Sequence, residues 1–381
     1  MDRSRDLAEL VALRRELRAH AELAGNEVET GRIIRRFLEA HSPTGLVTEL
    51  GGTGLAASFE GVENGPSVMF RAELDAVPVG ETKENDYRSE NIGVSHGCGH
   101  DGHMAIVAGL AVRLHHRPLR RGRVVLLFQP AEENGCGARA VLEDEEFRSL
   151  APDWIFALHN LPLEKFGEVQ IRSGAFTAGS VGVVLHFQGQ SSHAAYPEQG
   201  RSPAAAVAET IQALAESQDS VDSADSLARI TVVHVRVGEP AFGTTPGQAE
   251  VMATLRSDQD DILGELRGRV VELAGRVAGA HGLGIELSWT DEFPVTVNHP
   301  QAVALVQEVA ESRGIAYAWR DAAYPWSEDF GWFTRQYRGA IFGLGAGDEV
   351  PPLHSPGYDF PEPLIPRGLD LFEGLIEKIL G

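Results

Sequence analysis

Apolar residues along the 381-residue chain follow two rhythms. The first is a set of short uninterrupted runs: Val68-Met69-Phe70, Val124-Val125-Leu126-Leu127-Phe128, Trp154-Ile155-Phe156-Ala157-Leu158 and Ala340-Ile341-Phe342-Gly343-Leu344. A shorter run, Leu55–Phe59, follows the turn Gly51-Gly52-Thr53-Gly54. A strand that is apolar at successive positions has no solvent face, so it belongs in a sheet covered on both sides. Helices between such strands point to a parallel or mostly parallel sheet. Helical spacing of apolar residues predicts helices over 6–23, 27–41, 300–313 and 367–380, and one beginning near residue 101 with Val107, Leu110, Ala111 and Leu114 on one face. A short helix is expected over 328–335.

The second rhythm occupies the middle of the chain. Strands are expected at Val181–Gln188, Arg229–Val237, Ala249–Arg256 and Leu283–Trp289, with an Ala-rich helix at Pro203–Ser217 and a long helix at Asp258–His281. The order β-α-β-β-α-β is the split βαβ pattern of a small two-layer domain. The expected architecture is therefore α/β: residues 1–177 and 291–381 form one domain around a mostly parallel sheet, and an α+β satellite domain, 178–290, is inserted into it.

Composition narrows the possibilities. With 43% hydrophobic residues, the chain can bury a sizeable core in two domains. A formal charge of −22 argues against nucleic acid or an anionic membrane surface as partner, and its simplest reading is solubility. The only cysteines, Cys98 and Cys136, make no disulfide framework and suit a reducing compartment. The charged amphipathic start is unlike an apolar signal region, and no run of about 18 apolar residues occurs. A cytoplasmic location is the expectation.

Candidate chemistry concentrates in Ser95-His96-Gly97-Cys98-Gly99-His100-Asp101-Gly102-His103. Cys98 and His100, two apart, share a side on an extended segment, and the glycines favour a loop that approaches a ligand closely. Asp101 is positioned to cap the helix that follows, whose dipole would lower the Cys98 thiol pKa. Other polar candidates fall past the ends of the apolar strands: Asp75, Glu132 and Glu133, His159 and, further out, His354. Open α/β sheets bind ligands along that edge.

Together Cys98, His100, Glu133, His159 and His354 offer mixed S, N and O donors suited to zinc, manganese or cobalt. Five are too many for one tetrahedral catalytic site. They suffice for two ions about 3.5–4 Å apart that share a ligand, with Cys98 as a bridging thiolate. Glu132 and Glu133 would face opposite ways, one toward metal and one toward water. Each residue has a plainer reading: His159 as a core histidine, Glu132 and Glu133 as an exposed acidic pair, His354 as an ordinary loop residue. His115 and His116 read as solvated at a helix end, Cys136 as an inert small hydrophobe, and a Cys98–Cys136 disulfide is the alternative to two free thiols. Arg256 reads as a bidentate carboxylate clamp or as an ordinary surface salt bridge.

A set of motifs spread along nearly the whole chain resembles the M20 metallopeptidase and amidohydrolase family, in its aminoacylase-like branch of hippurate hydrolases, auxin-conjugate hydrolases and N-acetyl-diaminopimelate deacetylases. They are Arg71-Ala72-Glu73-Leu74-Asp75-Ala76-Val77-Pro78, Gly97–His103, Gln129-Pro130-Ala131-Glu132-Glu133, Leu158-His159, Ser192-His193-Ala194-Ala195-Tyr196-Pro197, Ser327-Glu328-Asp329-Phe330 and Leu353-His354-Ser355-Pro356. The resemblance implies two divalent ions held by Cys98, His100, Glu133, His159 and His354, with Glu132 as catalytic base and Asp75 orienting a ligand. It also implies a homodimer through the satellite domain, His193 reaching the partner's site, and His103 lining or supporting the site.

The implied substrate is an N-acyl amino acid or related small amide. A dipeptidase or carbamoyl-amino-acid hydrolase is the near alternative, and a non-catalytic metal-stabilised scaffold the distant one. The chain departs from the family at Gly189-Gln190-Ser191-Ser192, where Gly-Lys-Gly-Gly is frequent, and at Gly243, where the family has Asn.

Overall fold

A computed structural model describes residues 3–219 and 227–381, which divide into two compact units. The larger comprises Met1–Phe176, Thr296–Ala322 and Asp329–Gly381; the smaller comprises Thr177–Val295 and Ala323–Glu328.

The larger unit is built on an eight-stranded sheet. Its spatial order is Gly45–Leu50, Gly54–Glu60, Arg121–Gln129, Glu63–Glu73, Trp154–Pro162, Arg338–Gly347, Val169–Ile171, Tyr317–Trp319. The central four strands run parallel. The hairpin Gly45–Leu50/Gly54–Glu60 adds an antiparallel edge, and Val169–Ile171 pairs antiparallel with Arg338–Gly347. Val124 through Phe128 are all fully buried, as unbroken apolar runs require. One core cluster joins the sheet to the helices Arg3–Ala19, Val28–Ala40, His100–His116, Pro300–Arg313 and Ile365–Leu380. The helix His100–His116 is buried on every side from His100 to Leu114, so it is an interior helix and not an amphipathic one.

Three local expectations are corrected. Asp101 does not cap that helix. Gly99 does, in a left-handed conformation with φ 94°, while Asp101 lies buried in the first turn and accepts from Arg14 Nε at 2.8 Å. The short helix expected over 328–335 is only Gly331–Thr334. The segment Ala323–Glu328 belongs with the smaller unit, where the Ala178 N–H donates to the carbonyls of Tyr324 and Trp326 at 2.9 and 3.1 Å.

The smaller unit holds a four-stranded antiparallel sheet ordered Ala228–Val237, Gln248–Ser257, Gly179–Gln188, Gly284–Phe293. Helices Ala204–Asp219 and Asp260–Ala280 share a core with it. Along Gly179–Gln188, Val181, Val183, Leu185 and Phe187 are buried while Gly182, Val184 and His186 are partly exposed. This sheet therefore covers one face only. Among the described residues no helix is long and apolar enough to cross a membrane.

Candidate metal centre

In the larger unit the parallel strands deliver polar residues to one edge. Asp75 lies two residues past Glu63–Glu73, and Glu132 and Glu133 follow Arg121–Gln129 by a Pro-Ala turn. His159 sits inside Trp154–Pro162, which runs further than its apolar core suggests, and His354 is on the loop after Arg338–Gly347. Two of these turns use left-handed backbone at non-glycine residues, Ala131 at φ 50° and His354 at φ 59°. Such positions cost on the order of 1–3 kcal/mol and persist where surroundings hold them. The Ala131 N–H donates to Glu27 Oε1 at 2.8 Å, and the His354 N–H donates to the Gly97 carbonyl at 2.8 Å.

These elements bring Cys98, His100, Glu132, Glu133, His159 and His354 together. Cys98 Sγ lies 3.4 Å from His159 Nε2, and His354 Nε2 lies 3.4 Å from Glu133 Oε1. His100 Nε2 is 3.9 Å from both Glu132 Oε2 and Glu133 Oε1. Three groups, Cys98-His100-His159, Cys98-Glu133-His354 and His100-Glu132-Glu133, each hold their donor atoms within 4.8 Å of one another. Cys98 belongs to two of them. Asp75 braces the cluster from behind: its backbone carbonyl accepts from His100 Nδ1 at 2.8 Å, and its Oδ2 accepts from the Glu133 N–H at 2.8 Å.

The donor set fits divalent cations. His100 Nε2, Glu133 Oε1 and Asp75 Oδ1 are buried with no hydrogen-bond partner among the described residues, a costly arrangement that a cation would relieve. Burial disfavours a charged His100, yet Asp75, Glu73 and Glu133 outweigh it and hold its pKa up at about 10; the cluster calls for positive charge. His159 is pushed down to about 3, first by burial and then by His103, and stays neutral as a ligand must. The expectation of a lowered Cys98 pKa is overturned. Burial first, then Glu133, Glu132 and Glu73, push the thiol well above its ordinary value. A thiolate there depends on a cation.

The remaining expected residues separate. His103 is buried with both nitrogens engaged: Nδ1 donates to Glu73 Oε2 at 2.8 Å and Nε2 accepts from the Asn160 N–H at 3.1 Å. Both nitrogens are thus taken by protein partners, which leaves His103 a supporting place behind the site and none for gripping a substrate. His193 and Arg256 lie in the smaller unit. His193 is exposed, its Nδ1 accepting from the Ala195 N–H at 3.0 Å. Arg256 is half-buried and donates to Ser327 Oγ at 2.8 Å, with no acidic partner among the described residues. Cys136 is exposed, and no disulfide joins it to Cys98. His115 and His116 are exposed at their helix end.

Sequence reasoning overlooked Glu27, Asn160 and Tyr358, and it quoted Arg71, Gln129 and Asp329 only within motifs, without the buried set they form. In that set Arg71 Nη2 donates to Asp329 Oδ1 at 2.7 Å, and Nε donates to Gln129 Oε1 at 2.8 Å.

The model of peptidase family M20/M25/M40 matches residues 69–378. The chain belongs to this family. It is 29% identical over 373 residues to the N-acetylcysteine deacetylase of Bacillus subtilis, covering 97% of each chain. To the IAA-amino acid hydrolase ILR1-like 2 of Arabidopsis thaliana it is 31% identical over 389 residues, covering 97% of this chain and 85% of the relative. Among solved structures, a dinuclear metal binding M20 peptidase of Bacillus subtilis superposes with TM-score 0.82 at 27% identity, covering 99% of both chains. The chain is thus an M20-family amidohydrolase, with a mostly parallel α/β fold shared by its structural neighbours.

Proposed function

We propose that this enzyme hydrolyses the amide bond of N-acyl amino acids or related small amides, using two divalent ions (zinc, manganese or cobalt). Cys98, His100, Glu133, His159 and His354 would hold the ions, with Cys98 shared. The observation that carries the reading is a cluster of S, N and O donors, buried at Cys98, His100 and His159, half-buried at Glu133 and exposed at His354, with orphaned buried atoms and a second carboxylate, Glu132, beside it. Bound ions supply Lewis acidity toward a carbonyl and a water.

The chain's own residues supply the rest. Glu132 takes a proton from the attacking water and returns it to the leaving amine. Asp75 fixes His100 and the backbone of Glu133. Arg256, electropositive and without an acidic partner among the described residues, grips the carboxylate of the amino-acid portion; burial and neighbouring Arg229 lower its pKa, a strain that an anion relieves. His193, exposed on the smaller unit, stabilises the oxyanion in the partner's site of a homodimer formed through that unit. The substrate is a small molecule, with neither nucleic acid nor membrane as partner, and cysteines that form no disulfide support a cytoplasmic location.

The test loads purified protein with manganese, zinc or cobalt in turn, supplies N-acetyl and N-benzoyl amino acids, and measures free amine. Release with at least one ion, abolished by Glu132→Gln while metal content holds, is the expected result. Undiminished release by that variant overturns the role of Glu132. Mixed dimers of His193→Ala and Glu132→Gln chains should regain activity; no recovery after verified subunit exchange overturns action across the dimer.

A further inference from the structure

Asn160 follows His159 directly, is fully buried, and touches three otherwise separate parts of the site. Its backbone carbonyl accepts from His159 Nδ1 at 2.8 Å, which fixes the tautomer and turns Nε2 toward Cys98 Sγ. Its side-chain Nδ2 donates to the Cys98 carbonyl at 2.7 Å and to His103 Nε2 at 3.0 Å. Its Oδ1 accepts from the Tyr358 hydroxyl at 2.5 Å. A carbonyl only accepts, so the Cys98 contact settles which way the amide faces, and the Tyr358 hydroxyl must then be the donor. The packing is equally specific. Gly99 has φ 94°, and a Cβ there would stand 2.3 Å from Asn160 Nδ2 and 2.5 Å from Tyr358 Oη. The loop carrying Cys98 is thus drawn against this one amide.

We infer that Asn160 is the positioning residue that sets the relation of the Cys98 thiolate to the His159 imidazole, its backbone aiming the ring and its side chain holding the loop that carries the sulfur. This inference rests on the metal-centre reading and adds a residue to it. Tyr358 and His103 are the supports of Asn160: one locks the amide's orientation, the other ties it through Glu73 to Arg71. A substitution at Asn160 leaves the backbone bond to His159 intact and removes the hold on Cys98, so its effect falls on the sulfur side of the site. Loss of such supporting contacts typically costs 10- to 100-fold in metal affinity.

The experiment titrates Co²⁺ into metal-free wild type, Asn160→Leu and Tyr358→Phe, reading stoichiometry, affinity and the thiolate-to-cobalt absorption band, with circular dichroism to verify folding. Asn160→Leu should weaken cobalt binding roughly 10- to 100-fold and displace or abolish the thiolate band. Tyr358→Phe, which keeps the ring, should shift both in the same direction by a smaller factor. Folded variants with wild-type affinity and an unchanged band overturn the inference while leaving the metal centre standing. Wild type that binds no cobalt removes the metal centre, and this inference with it. Should Asn160→Leu fail to fold, Tyr358→Phe decides alone: an unchanged band overturns the assignment, a shifted one supports it.

Discussion

The two sheets of this chain bury their residues differently. In the larger unit neighbouring residues such as Val124 and Val125 are both fully buried, because helices and loops cover both faces. In the smaller unit burial alternates, and among the described residues of that unit one face of the sheet lacks a layer of its own. A sheet covered on both faces presents chemistry only at its strand ends, and there the cysteine, histidines and carboxylates converge. The half-covered sheet carries no such cluster among its described residues; the unit contributes Arg256, which has no acidic partner among the described residues, and an exposed His193. Under the function we propose, bond-breaking falls to the first unit and substrate grip to the second.

The largest effect should come from the larger unit's strand ends. Glu132→Gln is expected to lower kcat by about 100- to 10,000-fold, with two ions still bound by elemental analysis. Cys98→Ala should instead lose metal, because the sulfur belongs to two of the three donor groups. If Cys98→Ala retains both ions, the strand-end cluster is not the metal centre.

Next comes the buried charge behind that cluster. Asp101 lies between Arg14 and Arg18; burial raises its pKa, but the two guanidinium groups outweigh burial and hold it below the ordinary carboxylate range. A depressed carboxylate pKa contributes stability that is fully present above the unfolded value, about 3.9, and is lost as pH falls through the folded value. Asp101→Asn should cost about 3 kcal/mol near neutrality and flatten the acid limb of stability below about pH 4, measured by urea unfolding. Arg14 keeps Asp359 and Glu362, which limits the damage. An acid limb as steep as wild type would mean that other carboxylates carry it.

Substitutions in the smaller unit should fall on binding. Arg256→Met is expected to raise KM by about 10- to 100-fold, the worth of a charged hydrogen bond at about 1.5–3 kcal/mol, with kcat little changed. A fall in kcat with constant KM would place Arg256 at the reacting atoms and erase the division between the units.

The strand ends were legible because metal donors are chemically distinctive and fall at corresponding places after apolar runs. Asn160 and Glu27 were not, and Asp329 was legible only as a motif residue, not by its partners. A buried polar residue is defined by its partner, and Gln129 meets Asp329 across 200 positions of sequence, which no local pattern records. The misreadings share that origin. The Cys98 pKa was argued from the adjacent helix, whereas its direction is set by burial and by carboxylates at 73, 132 and 133. Asp101 has the residue type of an N-cap, but its side chain is taken by Arg14 and Gly99 makes the turn. Val169–Ile171 and Tyr317–Trp319 span three residues each, too short for any period to register.

The smallest effect tests the contrast between the sheets directly. Valine to threonine keeps shape and adds a hydroxyl, which costs about 1–3 kcal/mol when buried without a partner. In the larger unit Val124→Thr and Val125→Thr point to opposite faces, and both should cost that much by urea unfolding. In the smaller unit only alternate positions should be sensitive: Val183→Thr by the same amount, Val184→Thr by less than about 0.5 kcal/mol. Val184 is partly exposed and pairs with Met252 and Ser288 on the uncovered face. A Val184→Thr penalty equal to that of Val183→Thr would mean the face is buried in solution. If that penalty fell away on dilution, a second copy of the chain would be the cover; if it did not, the distinction between the two sheets would fail.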